Sequence, residues 1–145
     1  MVTERRSDCP IACTLDILGD KWTLLVVRDL FFGARYFDDF AKGWEGIATN
    51  ILGDRLRKLE SDGLVSRTRD PEDGRRVRYA LTKRGESLKP VLTVIARWGI
   101  ENLPDTRSRL PLETLYAPEL DPMPATPPAR PRAKKARAAV SRTAK

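Results

Sequence analysis

Histidine is absent from this chain of 145 residues. A Ser-His-Asp or Cys-His catalytic site and a His-ligated metal are therefore excluded within it. Cysteine is scarce: Cys9 and Cys13 are too few for a disulfide framework or a four-cysteine zinc site, and no metal or cofactor is expected. No apolar run approaches the ~18 residues needed to cross a bilayer. The segment 1–10 is charged and has no apolar stretch of the kind found in signal peptides. These absences together predict a cytoplasmic protein with no membrane association and with cysteines normally kept reduced.

Charge is present but unevenly spread. The formal net charge is +7. Residues 1–103 hold 18 basic and 16 acidic side chains, whereas residues 104–145 hold 9 basic and 4 acidic. Eight of the 11 prolines also fall after residue 103. From Pro127 to Lys145 there are seven basic residues, no acid and almost nothing large and apolar. Such a stretch cannot bury enough surface to offset its ordering entropy. The expected organisation is one folded domain over 1–103 and a disordered basic tail over 104–145. The tail is either a solubilising extension or an attractor of phosphates.

Within the domain, hydrophobic spacing and stop signals predict the elements. Ile11, Leu15 and Leu18 follow a helical period, with Pro10 at the first helical position and Gly19 as a left-handed stop. Asp20 is placed to cap a second helix from Lys21 to about Phe32. Phe37 and Phe40 sit on a short third helix. Leu52, Leu56 and Leu59 form the apolar stripe of a fourth, from about Ala48 to Asp62, terminated by Gly63. Leu64–Arg69 and the alternating Val77, Tyr79 and Leu81 read as the strands of a hairpin around the turn formers Asp70 to Gly74. Thr82 can cap a last helix from Lys83 to about Asn102, with a kink expected near Pro90. Helices followed by a two-stranded hairpin and a closing helix make a winged helix-turn-helix, mainly α with a small β wing.

At this point Cys9-Pro10, "LDILGDKWTLLVVRDLFFG" (15–33), "RYFDDF" (35–40), "GIATNILGDRLRKLESDGLVSR" (46–67), "YALTKRG" (79–85) and Trp98-Gly99 carry a likeness in order and spacing. The chain resembles the HxlR-type winged-helix transcription regulators, relatives of the MarR type. The resemblance implies a homodimeric DNA-binding regulator, commonly controlled by electrophiles, oxidants or small molecules. Ala48 departs from the Ser often found at the family's recognition-helix cap, leaving Thr49 to take that role. Asp73-Gly74-Arg75 looks more like a MarR-type wing.

Candidate DNA contacts follow from this order of elements. Asn50 could bond adenine bidentately, and Thr49 a thymine methyl or a phosphate. Arg57 could reach guanine or phosphate, while Arg55 and Lys58 suit phosphates. The competing reading pairs Arg57 with Asp54 or Glu60, and Lys58 with Asp54 or Asp62. Arg55 has no acid at either helical spacing, so its charge is expected to be the freest. Arg75 and Arg76 at the hairpin tip enter a minor groove, or else pair with Glu72 and Asp73. Leu88, Val91, Leu92, Ile95 and Trp98 are the candidate dimer face, unless they pack only on their own domain.

Cys9, just before Pro10, falls at a helix N-terminus, where the dipole and the amides favour a thiolate. The family often carries a regulatory cysteine at the matching position. The alternative is a small buried thiol with no role. Cys13, four residues on, is too far for a relaxed bridge on an intact helix. The expectation is a sequence-specific, non-enzymatic regulator of double-stranded DNA, more often a repressor, homodimeric and nucleoid-associated when bound. Thiol oxidation or a small effector would control it. A non-specific architectural DNA binder driven by the tail competes with this reading. A thiol oxidoreductase is disfavoured by the C-x3-C spacing and the absence of thioredoxin-like strand and helix alternation.

Overall fold

The computed structural model describes residues 6–108. The reading of 109–145 as a tail lies outside the described residues. The elements run α1 (Pro10–Leu18), α2 (Thr23–Phe31), α3 (Phe37–Ala41), α4 (Thr49–Ser61), β1 (Val65–Arg69), β2 (Val77–Leu81), α5 (Lys83–Glu86) and α6 (Lys89–Asn102). β1 and β2 pair antiparallel, with Val65 opposite Leu81 and Arg69 opposite Val77. An isolated bridge between Tyr36 and Arg78 ties the segment before α3 to the hairpin. The winged helix-turn-helix is thus the observed fold.

Leu18, Val26, Val27, Leu30, Phe40, Leu52, Leu56, Leu59, Leu64 and Val65 form one buried cluster. It lies between α2, α3, α4 and the base of the hairpin. Each such aliphatic side chain contributes about 1.5–3 kcal/mol by leaving water. Tyr79 extends the cluster edge-on to Phe40, with ring centroids 6.2 Å apart.

Three local expectations need correction. Gly19 ends α1 but is not left-handed: its φ is −76°. A Cβ there would meet the Leu15 carbonyl oxygen at 2.3 Å, so close approach, not backbone sign, requires the glycine. α2 begins at Thr23, two residues later than expected. Asp20 still serves its start, accepting from the amides of Trp22 (2.9 Å) and Thr23 (3.0 Å) and from the Thr23 hydroxyl. The last helix is not one kinked rod but two helices separated at Ser87 and Leu88. Pro90 sits in the first turn of α6, where its missing N–H costs nothing.

Elsewhere the turns close by chemistry visible in their residues. Gly63, at φ +70°, ends α4 and lets the Leu64 amide bond back to the Leu59 carbonyl at 2.9 Å. Thr82 caps α5 by accepting from the Gly85 amide, while its hydroxyl donates to the Gly63 carbonyl. This bond fixes the hairpin's exit against the end of α4.

Candidate nucleic-acid interface

α4 buries Leu52, Leu56 and Leu59 and turns Thr49, Asn50, Asp54 and Arg57 to solvent. Its N-cap is Ala48, whose side chain makes no capping bond. Thr49 is the first helical residue and does not take over the cap. Arg57 pairs with Asp54 three residues back, as the competing sequence reading allowed. Both partners are exposed, so the pair is weak and exchangeable.

The other two cations of α4 turn inward. Arg55 is not the freest charge. Its Nη1 lies 3.4 Å from Asp20 Oδ2, and its Nε is buried with no hydrogen-bond partner. Asp20 stands 35 residues away in sequence, beyond any helical-spacing argument. Lys58 Nζ donates to Asp62 at 2.7 Å and to the Ile17 carbonyl of α1 at 3.1 Å. Burial pushes the Asp20 carboxyl up. The Thr23 hydroxyl, the amides of Trp22 and Thr23 and the charge of Arg55 outweigh it and hold the group below its ordinary range.

Beside α4, the wing presents a cationic surface. Asp70, 8% exposed, anchors its turn, accepting from the amides of Glu72 (2.8 Å) and Asp73 (2.9 Å) and from the Tyr36 hydroxyl. The Tyr36 hydroxyl and then the two amides lower the Asp70 pKa. Neither Arg75 nor Arg76 forms an ion pair with Glu72 or Asp73 among the described residues. The Arg76 guanidinium instead covers the Tyr36 ring, 3.6 Å from its centroid. Arg67 and Arg69, which sequence reasoning passed over, alternate along β1 and line an open hollow with Arg75. Their two-residue spacing on a strand beside the Arg75 tip was the signal available.

The two thiols stand at the N-terminal end of α1. Cys9 is the extended N-cap residue and Cys13 its first-turn neighbour; no disulfide joins them. The Cys13 thiol donates to the Ser7 carbonyl at 3.0 Å. Of the candidate dimer residues, Leu88 and Leu92 pack against the domain's own core. Val91, Ile95 and Trp98 remain exposed, joined by Val94 on α6 and by Ile11 and Leu15 on α1.

The family model for HxlR-like helix-turn-helix proteins matches residues 17–107, which spans α2 through α6. The chain belongs to this family. It is a transcription regulator of the HxlR-like type, with a DNA-binding helix-turn-helix and the β1–β2 hairpin as its wing. Over 91 residues it is 41% identical to an uncharacterized HTH-type transcriptional regulator of Synechocystis sp., the match covering 63% of this chain and 67% of that one. A second such regulator, from Mycobacterium bovis, is 40% identical over 90 residues, and the match spans only 56% of its length. Among solved structures, PA1607 superposes with a TM-score of 0.66 at 40% identity, covering 72% of this chain and 75% of that one. The redox regulator HypR in its oxidized form gives 0.59 at 33% identity, covering 65% and 97%. Among the described residues no cluster suits a metal ion, and no helix is long and apolar enough to cross a membrane.

Proposed function

We propose that this HxlR-like protein is a sequence-specific, homodimeric transcriptional repressor that reads an inverted repeat in double-stranded DNA. One observation carries the reading: an exposed polar face on α4 stands beside a wing in which Arg67, Arg69 and Arg75 form no ion pair among the described residues. Thr49 and Asn50, at the start of α4, reach base edges, and Arg57 exchanges Asp54 for guanine or phosphate. Arg67, Arg69 and Arg75 add contacts from the wing. Arg55 and Lys58, drawn into the domain, position α4 and add little to phosphate binding. The exposed apolar faces of α1 and α6 support pairing of two copies, with recognition helices about one DNA turn apart. Residues 1–103 form the binding and dimerisation unit and 104–145 a basic extension. The protein acts in the cytoplasm, on the nucleoid.

Control by oxidation of Cys9 is supported by its place at the N-terminus of α1 and by the likeness to HypR, a redox regulator. A small-molecule effector is the other form of control in such a protein. Fluorescence anisotropy of the full chain tests the reading, on the segment upstream of its own gene and on a scrambled duplex across a salt series. A preference of about 10³ or more for the upstream segment is expected, with diamide lowering it and Cys9→Ser abolishing that response. Equal affinity for both duplexes, with a steep salt slope, would refute specific recognition and favour architectural binding.

A further inference from the structure

Tyr36 precedes α3, yet it is bonded to the wing from three directions. Its hydroxyl donates to Asp70 Oδ2, its backbone bridges Arg78 on β2, and its ring lies beneath the guanidinium of Arg76. Its own amide donates to Asp39 Oδ2 at 2.9 Å, as does that of Arg35, so the tyrosine is held on the α3 side as well. Asp70 in turn closes the wing turn. One oxygen takes the Glu72 and Asp73 amides, and its own amide donates to the Arg76 carbonyl at 2.9 Å. The turn is completed by the Arg76 amide on the Asp73 carbonyl and the Arg75 amide on the Asp73 carboxylate. Every fixed point of the 70–76 turn therefore leads to Asp70 or Asp73, and Asp70 leads to Tyr36. A hairpin joined to its domain only at its base would otherwise sway at the tip.

This arrangement separates two adjacent arginines. The face of Arg76 is used up on the ring, while Arg75, with no side-chain bond among the described residues, projects beside Arg67 and Arg69. We infer that Tyr36 is a positioning residue for the wing. Clamped to Asp70 and capped by Arg76, it holds the turn so that Arg75, and not Arg76, is the guanidinium that enters the groove. The inference rests on the wing contacting DNA through Arg75.

The test measures affinity of the full chain against salt concentration, on a duplex recovered by in vitro selection with that chain. Arg75→Ala should weaken binding about tenfold or more and flatten the log–log salt slope by about 0.9, one phosphate's worth. Tyr36→Phe changes no charge and keeps the ring. It should nonetheless flatten the slope by a similar amount, and the double variant should bind like Tyr36→Phe alone, because an unclamped wing no longer delivers Arg75. A tyrosine that merely stabilised the fold would lower the melting temperature and leave the slope at its wild-type value. Arg76→Lys keeps the charge but loses the flat stack, so it should behave as Tyr36→Phe does. It supplies the result if Tyr36→Phe unfolds. The inference is overturned if the charge-preserving variants keep the wild-type slope, or if their losses multiply with that of Arg75→Ala. A silent Arg75→Ala in the wild-type background would instead remove the wing contact itself, and the clamp's function with it.

Discussion

Replacing Asp20 with alanine should be among the most damaging single changes at a polar position in this domain. The carboxylate accepts two amides at the start of α2 and the hydroxyl of Thr23, a residue only 1% exposed, and it faces Arg55 on α4. Loss of a capping oxygen costs about 1 kcal/mol. Stranding the hydroxyl of Thr23 costs about 1–3 kcal/mol more. The Arg55 pair is long and partly exposed, and nothing is added for it. The expected total is about 2–4 kcal/mol. For a domain of ~100 residues that is a fall in melting temperature of roughly 10–25 °C. Urea and thermal denaturation followed by circular dichroism measure it. Asp20→Asn keeps an oxygen for the amides and should cost about 1 kcal/mol or less. Thr23→Val, introduced into Asp20→Ala, should recover part of the loss, because the stranded hydroxyl is then gone. If Asp20→Ala costs under ~1 kcal/mol, or Thr23→Val only adds to the damage, the account of a buried capping hub is wrong.

Further outcomes follow from other features. Asp20, Asp39 and Asp70 all titrate below the usual carboxylate value of 3.8. Burial pushes the Asp39 carboxyl up, but the amides of Arg35 and Tyr36 outweigh it; at Asp70 the Tyr36 hydroxyl leads. Their depressed values mean that the unfolded chain binds protons first. Stability should hold above the ordinary carboxylate value and fall as pH drops through it toward the depressed ones, which thermal melts across an acid series would show. Gly85→Ala would place a Cβ 2.1 Å from the Leu64 carbonyl oxygen, an obstacle made of backbone. It should destabilise by about 3 kcal/mol or more, read from the urea midpoint. Ile95→Glu, at a position 50% exposed, should leave the melting temperature of a monomer nearly unchanged while shifting sedimentation from dimer to monomer. An unaltered sedimentation profile would remove α6 from the interface.

The elements whose signals are local were legible in sequence. α4 announced itself through Leu52, Leu56, Leu59 and the terminating Gly63, and the hairpin through its alternating residues and the turn formers between them. Asp20 was legible as a cap even though the helix begins two residues later, because side-chain capping and helical dihedral angles need not start together. The closing helix was misread because Pro90 carries two meanings, a kink within a helix or the opening turn of a new one. Thr82 and Pro90 lie eight residues apart, enough for two helix starts. What sequence could not show were the partners brought together by the fold: Asp20 with Arg55, Ile17 with Lys58, Tyr36 with Asp70. Each pair is separated by more than 30 residues. Periodicity arguments reach one or two helical turns, and the partner of Arg55 lies far beyond them, at the α1–α2 corner.

That corner gives α4 a mechanical attachment. Lys58 holds the Ile17 carbonyl near the end of α1, and Arg55 faces Asp20 just past it, so the two helices share a pivot. α1 has nine residues and is about 13 Å long. A swing of ~10° about that pivot displaces its far end, where Cys9 sits, by about 2 Å. The opposite end of α1 is thus tied to α4 by two side chains of α4 itself, Lys58 directly and Arg55 through Asp20.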